Sequence, residues 1–77
     1  MSHTISLKLF ASLAKRAPEN ADTFPVAPGT TVLELVRQLN IPLKEAKLVF
    51  INNRRVELDT VIQDGDRVGI FPPVGGG

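Results

Sequence analysis

The last stretch of this chain, Asp64–Gly77, reads DGDRVGIFPPVGGG and decides the fold. Its first three residues are the types that favour a tight turn. The next five alternate, with Val68 and Ile70 on one side, which predicts a strand. The two prolines that follow cannot donate ladder hydrogen bonds and favour an extended backbone. The stretch therefore predicts a final strand that ends at Phe71 and continues as an extended tail.

Apolar patterning predicts four further strands upstream of this stretch. Residues 4–10 alternate, with Ile5, Leu7 and Leu9 on one face, which is typical of a half-buried strand. The pair Asn52-Asn53 tolerates positive φ and suits a tight hairpin between two of the strands. The predicted strands are Thr4–Phe10, a weaker Ala21–Val26, the buried run Leu48–Ile51, and a return strand that begins with Val56 and Leu58. Pro25 indicates either an edge position or a strand end.

One amphipathic helix is predicted after the turn at residues 28–29. Thr31 is a good N-cap, and Glu34 three residues later completes the capping-box pattern. Pro42 blocks any continuation of the helix. The apolar stripe follows helical spacing and consists of Val32, Leu35, Val36 and Leu39.

The order of elements is strand, strand, helix, strand, strand, strand, with a short helix or turn at residues 11–17. One helix of this kind can cover one face of one small sheet, so we expect a two-layer α+β fold. A chain of 77 residues makes one domain. We assign that domain to residues 1–74 and predict a flexible glycine tail at residues 75–77.

Composition argues against several classes of function. The net charge is +1 and the chain has no Trp or Tyr, which disfavours a nucleic-acid-binding role. No apolar run is long enough to span a bilayer and no signal peptide begins the chain, so we expect no membrane association and a cytoplasmic location. The chain has no Cys and one His, so no intrinsic active site is visible. Asp64 and Asp66 are expected to form a turn rather than bind a metal.

At this point the residues resemble a known family. The element order, Asp64-Gly65-Asp66, Phe71-Pro72-Pro73-Val74 and the terminal glycines are similar to the β-grasp sulfur carriers related to ubiquitin. Within that group, Phe-Pro-Pro-Val shortly before Gly-Gly resembles the small subunit of molybdopterin synthase. The related thiamin-thiazole sulfur carrier also ends in Gly-Gly but usually lacks the paired prolines.

The resemblance implies a fold and a reaction cycle. The first and last strands should run parallel and adjacent in the middle of the sheet. An adenylyltransferase similar to ubiquitin-activating enzyme should use ATP to join AMP to the Gly77 carboxylate. A persulfide sulfur donor then displaces AMP and leaves a thiocarboxylate, which the large subunit of molybdopterin synthase receives. The chain itself is expected to bind no cofactor, and the catalytic groups should belong to its partners.

The resemblance also implies site residues. Gly77 is the expected carrier residue, because its carboxylate is adenylated and then converted to the thiocarboxylate. Gly76 and Gly77 are expected to enter a narrow channel of the partner. The expected partner-binding residues are Phe10, Phe71, Pro72, Pro73, Val74, Gly75 and Gly76.

Strand phase places two aromatic residues outside the core. Phe71 is out of phase with Val68, and Phe10 is out of phase with the apolar face of the first strand. If those strands are parallel neighbours, both rings fall at one end of the open sheet face and form an apolar patch for a partner. The alternative is that a twisted strand end buries one of them. Gly69 is interpreted as a site of close packing against another backbone, either of this chain or of a partner. Arg55 stands near a position that is commonly apolar and partner-facing in the family.

Three rival functions stay open on the sequence. The chain could carry sulfur for another pathway, such as that of the thiamin thiazole or of a sulfur-containing amino acid. It could be a ubiquitin-like modifier that joins Gly77 to lysine side chains. It could also be an interaction module whose tail undergoes no covalent chemistry.

Overall fold

The computed structural model describes residues 3–73, which form five strands and one α-helix. The strands are β1 (His3–Leu9), β2 (Phe24–Val26), β3 (Leu48–Ile51), β4 (Arg54–Val56) and β5 (Arg67–Phe71), and the helix is α1 (Val32–Gln38). Short 3₁₀ turns occupy Ala11–Arg16, Ala21–Thr23 and Leu43–Glu45. Within residues 3–73, no helix is long and apolar enough to cross a membrane.

The strands form one mixed sheet in the order β2-β1-β5-β3-β4. β1 and β5 are parallel neighbours, with Leu9 opposite Ile70, and every other neighbouring pair is antiparallel. The expectation that the first and last strands lie side by side inside the sheet is confirmed. A five-stranded sheet of this topology with one main helix is the β-grasp fold, so the predicted α+β class is also confirmed.

The hydrophobic core lies between α1 and one face of the sheet. Val32, Leu35 and Val36 of the helix have no exposed surface, and Leu39 packs against the core just after the helix. Full burial of such a side chain contributes about 1.5–3 kcal/mol, so this stripe accounts for the docking of a helix of only seven residues. The strand side chains that face it are Ile5, Leu7, Leu9, Val49, Ile51, Val68 and Ile70.

The capping box at the start of α1 is confirmed. Thr31 Oγ1 accepts a hydrogen bond from the Glu34 backbone N–H, and Glu34 Oε1 accepts one from the Thr31 N–H at 2.9 Å. The helix ends at Gln38, before it reaches Pro42. Asn40 at φ 58° turns the chain out of the helix, a left-handed conformation common after helix C-termini.

The return strand begins earlier than predicted, because β4 starts at Arg54 and the predicted strand starts at Val56. β4 ends at Val56, and Leu58 is 37% exposed outside the sheet. The carbonyls of Leu58 and Thr60 accept hydrogen bonds of 2.9 Å from the N–H groups of Leu33 and Val32. Those groups begin the helix and have no partner within it. The segment therefore leaves the sheet to satisfy the start of α1.

The weak strand predicted at residues 21–26 is a strand in its second half only. Ala21–Thr23 is a 3₁₀ turn, and β2 begins at Phe24. β2 pairs only with β1 and so forms one edge of the sheet. Pro25 is tolerated there because it has no N–H to donate, and an edge strand has positions at which no hydrogen bond to a neighbouring strand is required. The predicted edge position is confirmed.

The two predicted turns flank the start of β5. Asn52 (φ 53°) and Asn53 (φ 70°) form the hairpin between β3 and β4, with both central residues left-handed, as a type I′ turn requires. The Asn52 side chain also accepts a hydrogen bond from the Arg67 N–H at 3.0 Å and donates one to Asp66 at 3.1 Å. One side chain thus fixes the β3–β4 hairpin to the first residue of β5.

Asp64 and Asp66 bind protein groups at this turn. Asp64 Oδ1 accepts a hydrogen bond from the Thr4 N–H at 2.8 Å, and Asp66 Oδ2 accepts one from the Gln63 N–H at 2.8 Å. Gly65 between them has φ 82°, a conformation that disfavours a side chain. The two carboxylates therefore form the turn and align the starts of β1 and β5, as the sequence predicts.

Candidate functional site

The candidate site is the sheet face opposite α1, next to the end of β5, where the C-terminal tail begins. We call it the open face. Its side chains come from alternate strand positions, and register aligns Lys8, Gly69, Phe50 and Arg55 in one row across four strands. Leu48 and Phe71 pair one step nearer the tail, and Ser6 and Arg67 one step farther from it.

Three phenylalanines form an aromatic cluster at the tail end of the open face. The rings of Phe10 and Phe71 stack with centroids 4.1 Å apart and an interplanar angle of 2°. Phe50 meets Phe71 edge to face at 5.6 Å and 77°. Phe10 is 37% exposed, and the other two rings are half-buried. The prediction that Phe10 and Phe71 lie together on this face is confirmed, and neither ring is buried in the core.

Phe10 reaches this position because β1 and β5 stay paired for one residue beyond β1. The Phe10 N–H donates to the Ile70 carbonyl at 3.1 Å. Ala11 then adopts φ 52°, which turns the chain into the following 3₁₀ turn. The ring of Phe10 is thereby held beside β5, against its neighbour Phe71.

Gly69 provides the space for this stack. A Cβ at position 69 would lie 3.3 Å from Phe10 Cε2 and 3.9 Å from Phe71 Cε1. Within this chain the close neighbours of that position are two side chains and not a backbone, and the predicted approach of a partner's backbone stays a prediction. A larger residue at 69 would compete with the Phe10 ring for the same volume.

A groove of about 490 Å³ lies beside the aromatic cluster. Its apolar part is formed by the three rings together with Val68 and Gly69, and its polar part by Lys8, Asn53 and Arg67. Such a groove can accept an apolar side chain on the rings while the cations remain at its rim. Nothing in its lining is a nucleophile–base pair of the kind that covalent catalysis requires.

The charges of the sheet are all of one sign. None of the five strands described within residues 3–73 contains Asp or Glu. Lys8, Arg55 and Arg67 are exposed on the open face, whereas Arg54 pairs with the buried Ile51 and so belongs to the helix side. The open face is therefore apolar at the tail end and cationic farther away.

The tail leaves the sheet beside the aromatic cluster. β5 lies between β1 and β3, and its pairing ends at Phe71, whose carbonyl accepts a hydrogen bond from the Lys47 N–H at 3.0 Å. The predicted end of the strand is confirmed. Pro72 is buried within the chain and offers a partner little surface, whereas Pro73 is exposed. The predicted roles of Val74, Gly75, Gly76 and Gly77 lie outside the described residues.

Sequence reasoning does not select three residues of this site. Phe50 belongs to a run that is predicted to be largely buried, because every residue from Leu48 to Ile51 is apolar and the pattern hides which phase is open. Lys8 and Arg67 stand at strand positions that alternate with core residues, and this alternation indicates that both lie on the face opposite the core. Only the strand order shows that these three residues converge. In the described part of the chain, no three His, Asp or Glu side chains are grouped to hold a metal ion.

Comparisons with known proteins relate this geometry to one family. A model of the ThiS family matches residues 7–77. No match was found among curated proteins. Similar solved structures include SAMP1 from Haloferax volcanii, which is 28% identical with a TM-score of 0.66 and covers 96% of this chain and 99% of its own.

Two further similar structures carry names from cofactor biosynthesis. A putative molybdopterin converting factor subunit 1 from Pyrococcus furiosus is 26% identical with a TM-score of 0.65, over 95% of this chain and 100% of that one. The thiamine biosynthesis protein ThiS from Geobacter metallireducens is 26% identical with a TM-score of 0.61, over 100% of both chains. Because the family model spans nearly the whole sequence and the fold agrees, the chain belongs to the ThiS family of ubiquitin-like β-grasp proteins.

Proposed function

We propose that this chain is a sulfur carrier and serves as the small subunit of a molybdopterin synthase. The observation that carries the proposal is that the motif Phe71-Pro72-Pro73-Val74 begins at the end of an interior strand, where Phe71 belongs to a partly exposed aromatic cluster. An anchored strand gives the tail a fixed point of departure, and the open face offers a docking surface next to it. The similarity to the Pyrococcus furiosus converting factor subunit supports the molybdopterin pathway in particular.

The chemistry takes place at the Gly77 carboxylate. A free carboxylate is a poor acyl donor because its leaving group would be an oxide. An adenylyltransferase therefore joins it to AMP from ATP, releasing pyrophosphate. The terminal sulfur of a persulfide donor then attacks the acyl carbon and expels AMP, and a thiol reduces the resulting acyl disulfide to the thiocarboxylate.

The carrier serves to deliver sulfur at high local concentration. A thiocarboxylate on the docked tail reaches the acceptor site of the large synthase subunit as part of a bound complex, which replaces a bimolecular encounter by an intramolecular one. The acids and bases belong to the partner enzymes, and no cofactor is bound by this chain. The cytoplasmic location expected from the sequence stays a prediction.

Intact-mass measurement tests the carrier chemistry directly. The protein is incubated with ATP, its adenylyltransferase and a persulfide donor, and the expected product has one oxygen of the terminal glycine replaced by sulfur. A variant with one residue added after Gly77 is the control and should show no change. An unmodified wild-type mass, with the adenylyltransferase shown to be active, would contradict the proposal.

A protein modifier is the second candidate function. The similar SAMP1 structures include one named as a small archaeal modifier protein, and the match covers nearly all of both chains. In that function the activated Gly77 would form isopeptide bonds with lysine side chains. High-mass adducts in the same reaction, when other proteins are present, would favour this function.

The thiamine pathway is the remaining alternative for a sulfur carrier, supported by the similarity to ThiS from Geobacter metallireducens. The two pathways differ in the protein that receives the thiocarboxylate. Loaded protein is therefore offered separately to a molybdopterin synthase large subunit and to a thiazole synthase. Loss of sulfur to the first alone is the expected result, and loss to the second alone would assign the thiamine pathway.

A further inference from the structure

We infer that the partner surface on the open face is an apolar protein segment flanked by carboxylates. Its apolar side chain would rest on the aromatic cluster, and its Asp or Glu side chains would face Lys8, Arg55 and Arg67. This inference rests on the proposed function, since it describes how the enzyme that activates Gly77 recognises the carrier. Charge complementarity would then determine which protein binds to the open face.

Positive and negative side chains are separated in this fold. The chain has 8 Asp and Glu residues against 9 Lys and Arg, so an even mixture would place acids on every surface. All eight acids lie outside the five strands, and every Lys or Arg within a strand keeps its positive charge unmatched there. The acids are Glu19, Asp22, Glu34, Glu45, Glu57, Asp59, Asp64 and Asp66.

Three carboxylates of the described residues form hydrogen bonds away from the cations of the open face. Glu34 bonds the N-cap of α1, and Asp64 and Asp66 bond backbone and amide groups at the turn before β5. The exposed cations of the open face thus remain available to another molecule. A complementary partner gains association rate and orientation from such charges.

The cations of the open face lie beside the aromatic cluster, on the part of the face farther from the tail. Lys8 and Arg55 stand at the ends of the row that contains Phe50, separated by three strand spacings, or roughly 14 Å. Arg67 lies two residues before Gly69 on β5, on the side away from the tail. An apolar centre with charges around it is the usual anatomy of a specific interface. Because the cations lie away from the tail, the acidic side chains of the partner should lie on that side too, which would fix the orientation of the partner.

Two other occupants fit this face less well. A second copy of the chain packed face to face by two-fold symmetry would bring the cations of both copies together, which is repulsive. Nucleic acid would match the cations, but Phe10 and Phe71 already cover one face of each other at 4.1 Å, so less ring surface remains for stacking bases. A protein segment with carboxylates beside an apolar side chain can pair with the cations, and its apolar side chain can pack against the ring edges.

The test compares two adjacent arginines that point to opposite sides of the sheet. Arg55→Glu changes the open face, and Arg54→Glu makes the same charge change on the helix side. Binding of each full-length variant to the adenylyltransferase from the same genome is measured by calorimetry without ATP, at low and high salt. We expect Arg55→Glu to weaken binding roughly tenfold and Arg54→Glu to change it less than about twofold. Lys8→Glu combined with Arg55→Glu should weaken it further and flatten the salt dependence.

Several results would overturn the inference. Equal affinities for the two arginine variants, binding that does not weaken with salt, or no binding by wild type would each do so. Tighter binding of a single-stranded oligonucleotide in fluorescence anisotropy would assign another occupant. So would dimerisation in sedimentation that Arg55→Glu alters and Arg54→Glu does not. Because no ATP is present, failure of Gly77 activation with selective binding retained would refute the proposed function alone.

Discussion

Replacement of Gly69 by Ala separates the stability of the fold from the shape of its open face. The added Cβ would lie 3.3 Å from Phe10 Cε2, slightly closer than ordinary van der Waals contact. The backbone φ at Gly69 is outside the left-handed region, so Ala itself is not strained there. Phe10 is 37% exposed and follows β1 rather than lying within it. The ring can therefore move outward by a few tenths of an ångström.

Two opposing contributions set the expected change in unfolding free energy. Ala in place of Gly within a strand stabilises by roughly 0.5–1 kcal/mol. A disturbed Phe10–Phe71 stack loses part of the roughly 0.5–1.5 kcal/mol that aromatic pairs contribute. The net change should stay within about 1 kcal/mol, against a total of roughly 4–11 kcal/mol for a domain of this size. We therefore expect the variant to fold. Because the displaced ring belongs to the proposed docking surface, affinity for the adenylyltransferase should fall about three- to tenfold.

Urea denaturation followed by far-UV circular dichroism measures the stability, since the chain has no Trp or Tyr for fluorescence. Aromatic proton shifts report the displaced ring, and calorimetry reports the affinity. The control is a double-mutant cycle with Phe10→Leu, in which the smaller side chain should remove most of the effect of the Gly69→Ala substitution. A loss of more than about 2 kcal/mol that Phe10→Leu does not relieve would refute the reasoning, because the added methyl would then contact something other than the ring.

Further predictions concern stability and the tail. Asp66→Ala removes an acceptor of two hydrogen bonds, at 2.8 and 3.1 Å. It should lower the unfolding free energy measured by urea denaturation by about 2–3 kcal/mol. A smaller loss than that caused by Asp64→Ala, at an exposed carboxylate, would contradict this role. Thr31→Ala should cost about 1 kcal/mol by loss of the capping box, and an unchanged urea midpoint would contradict it. Leu35→Ala creates a cavity in the core and should cost about 2–5 kcal/mol. One residue added after Gly77 should abolish adenylation with an unchanged dichroism spectrum, and full activation of that variant would refute the tail mechanism.

The elements that local chemistry specifies could be predicted from the sequence. Thr31 and Glu34 form their capping box within four consecutive residues, and the left-handed turn at Asn52 needs only its own backbone. The end of β5 at Phe71 likewise follows from the missing N–H groups of the prolines. Each prediction held because the interacting groups are neighbours in the chain.

The errors arose where distant segments compete for the same groups. Leu58 was expected in a strand, but its carbonyl accepts a hydrogen bond from the Leu33 N–H instead, so the segment follows the helix. The sequence also did not indicate that Phe10, which follows β1, packs beside Gly69. No local pattern around either residue reveals which distant group will be there.

The sequence by itself determined the β-grasp order of elements, the helix start and the tail that leaves a final strand, since these follow from backbone chemistry and apolar periodicity. Only the tertiary structure decided the open face. It brings Phe50 of β3 and Phe71 of β5 together with Phe10, which follows β1, and places Lys8 and Arg55 in one row. The physical reason is that hydrogen-bonded register sets which side chains meet across a sheet, and register depends on pairings between residues up to about sixty positions apart.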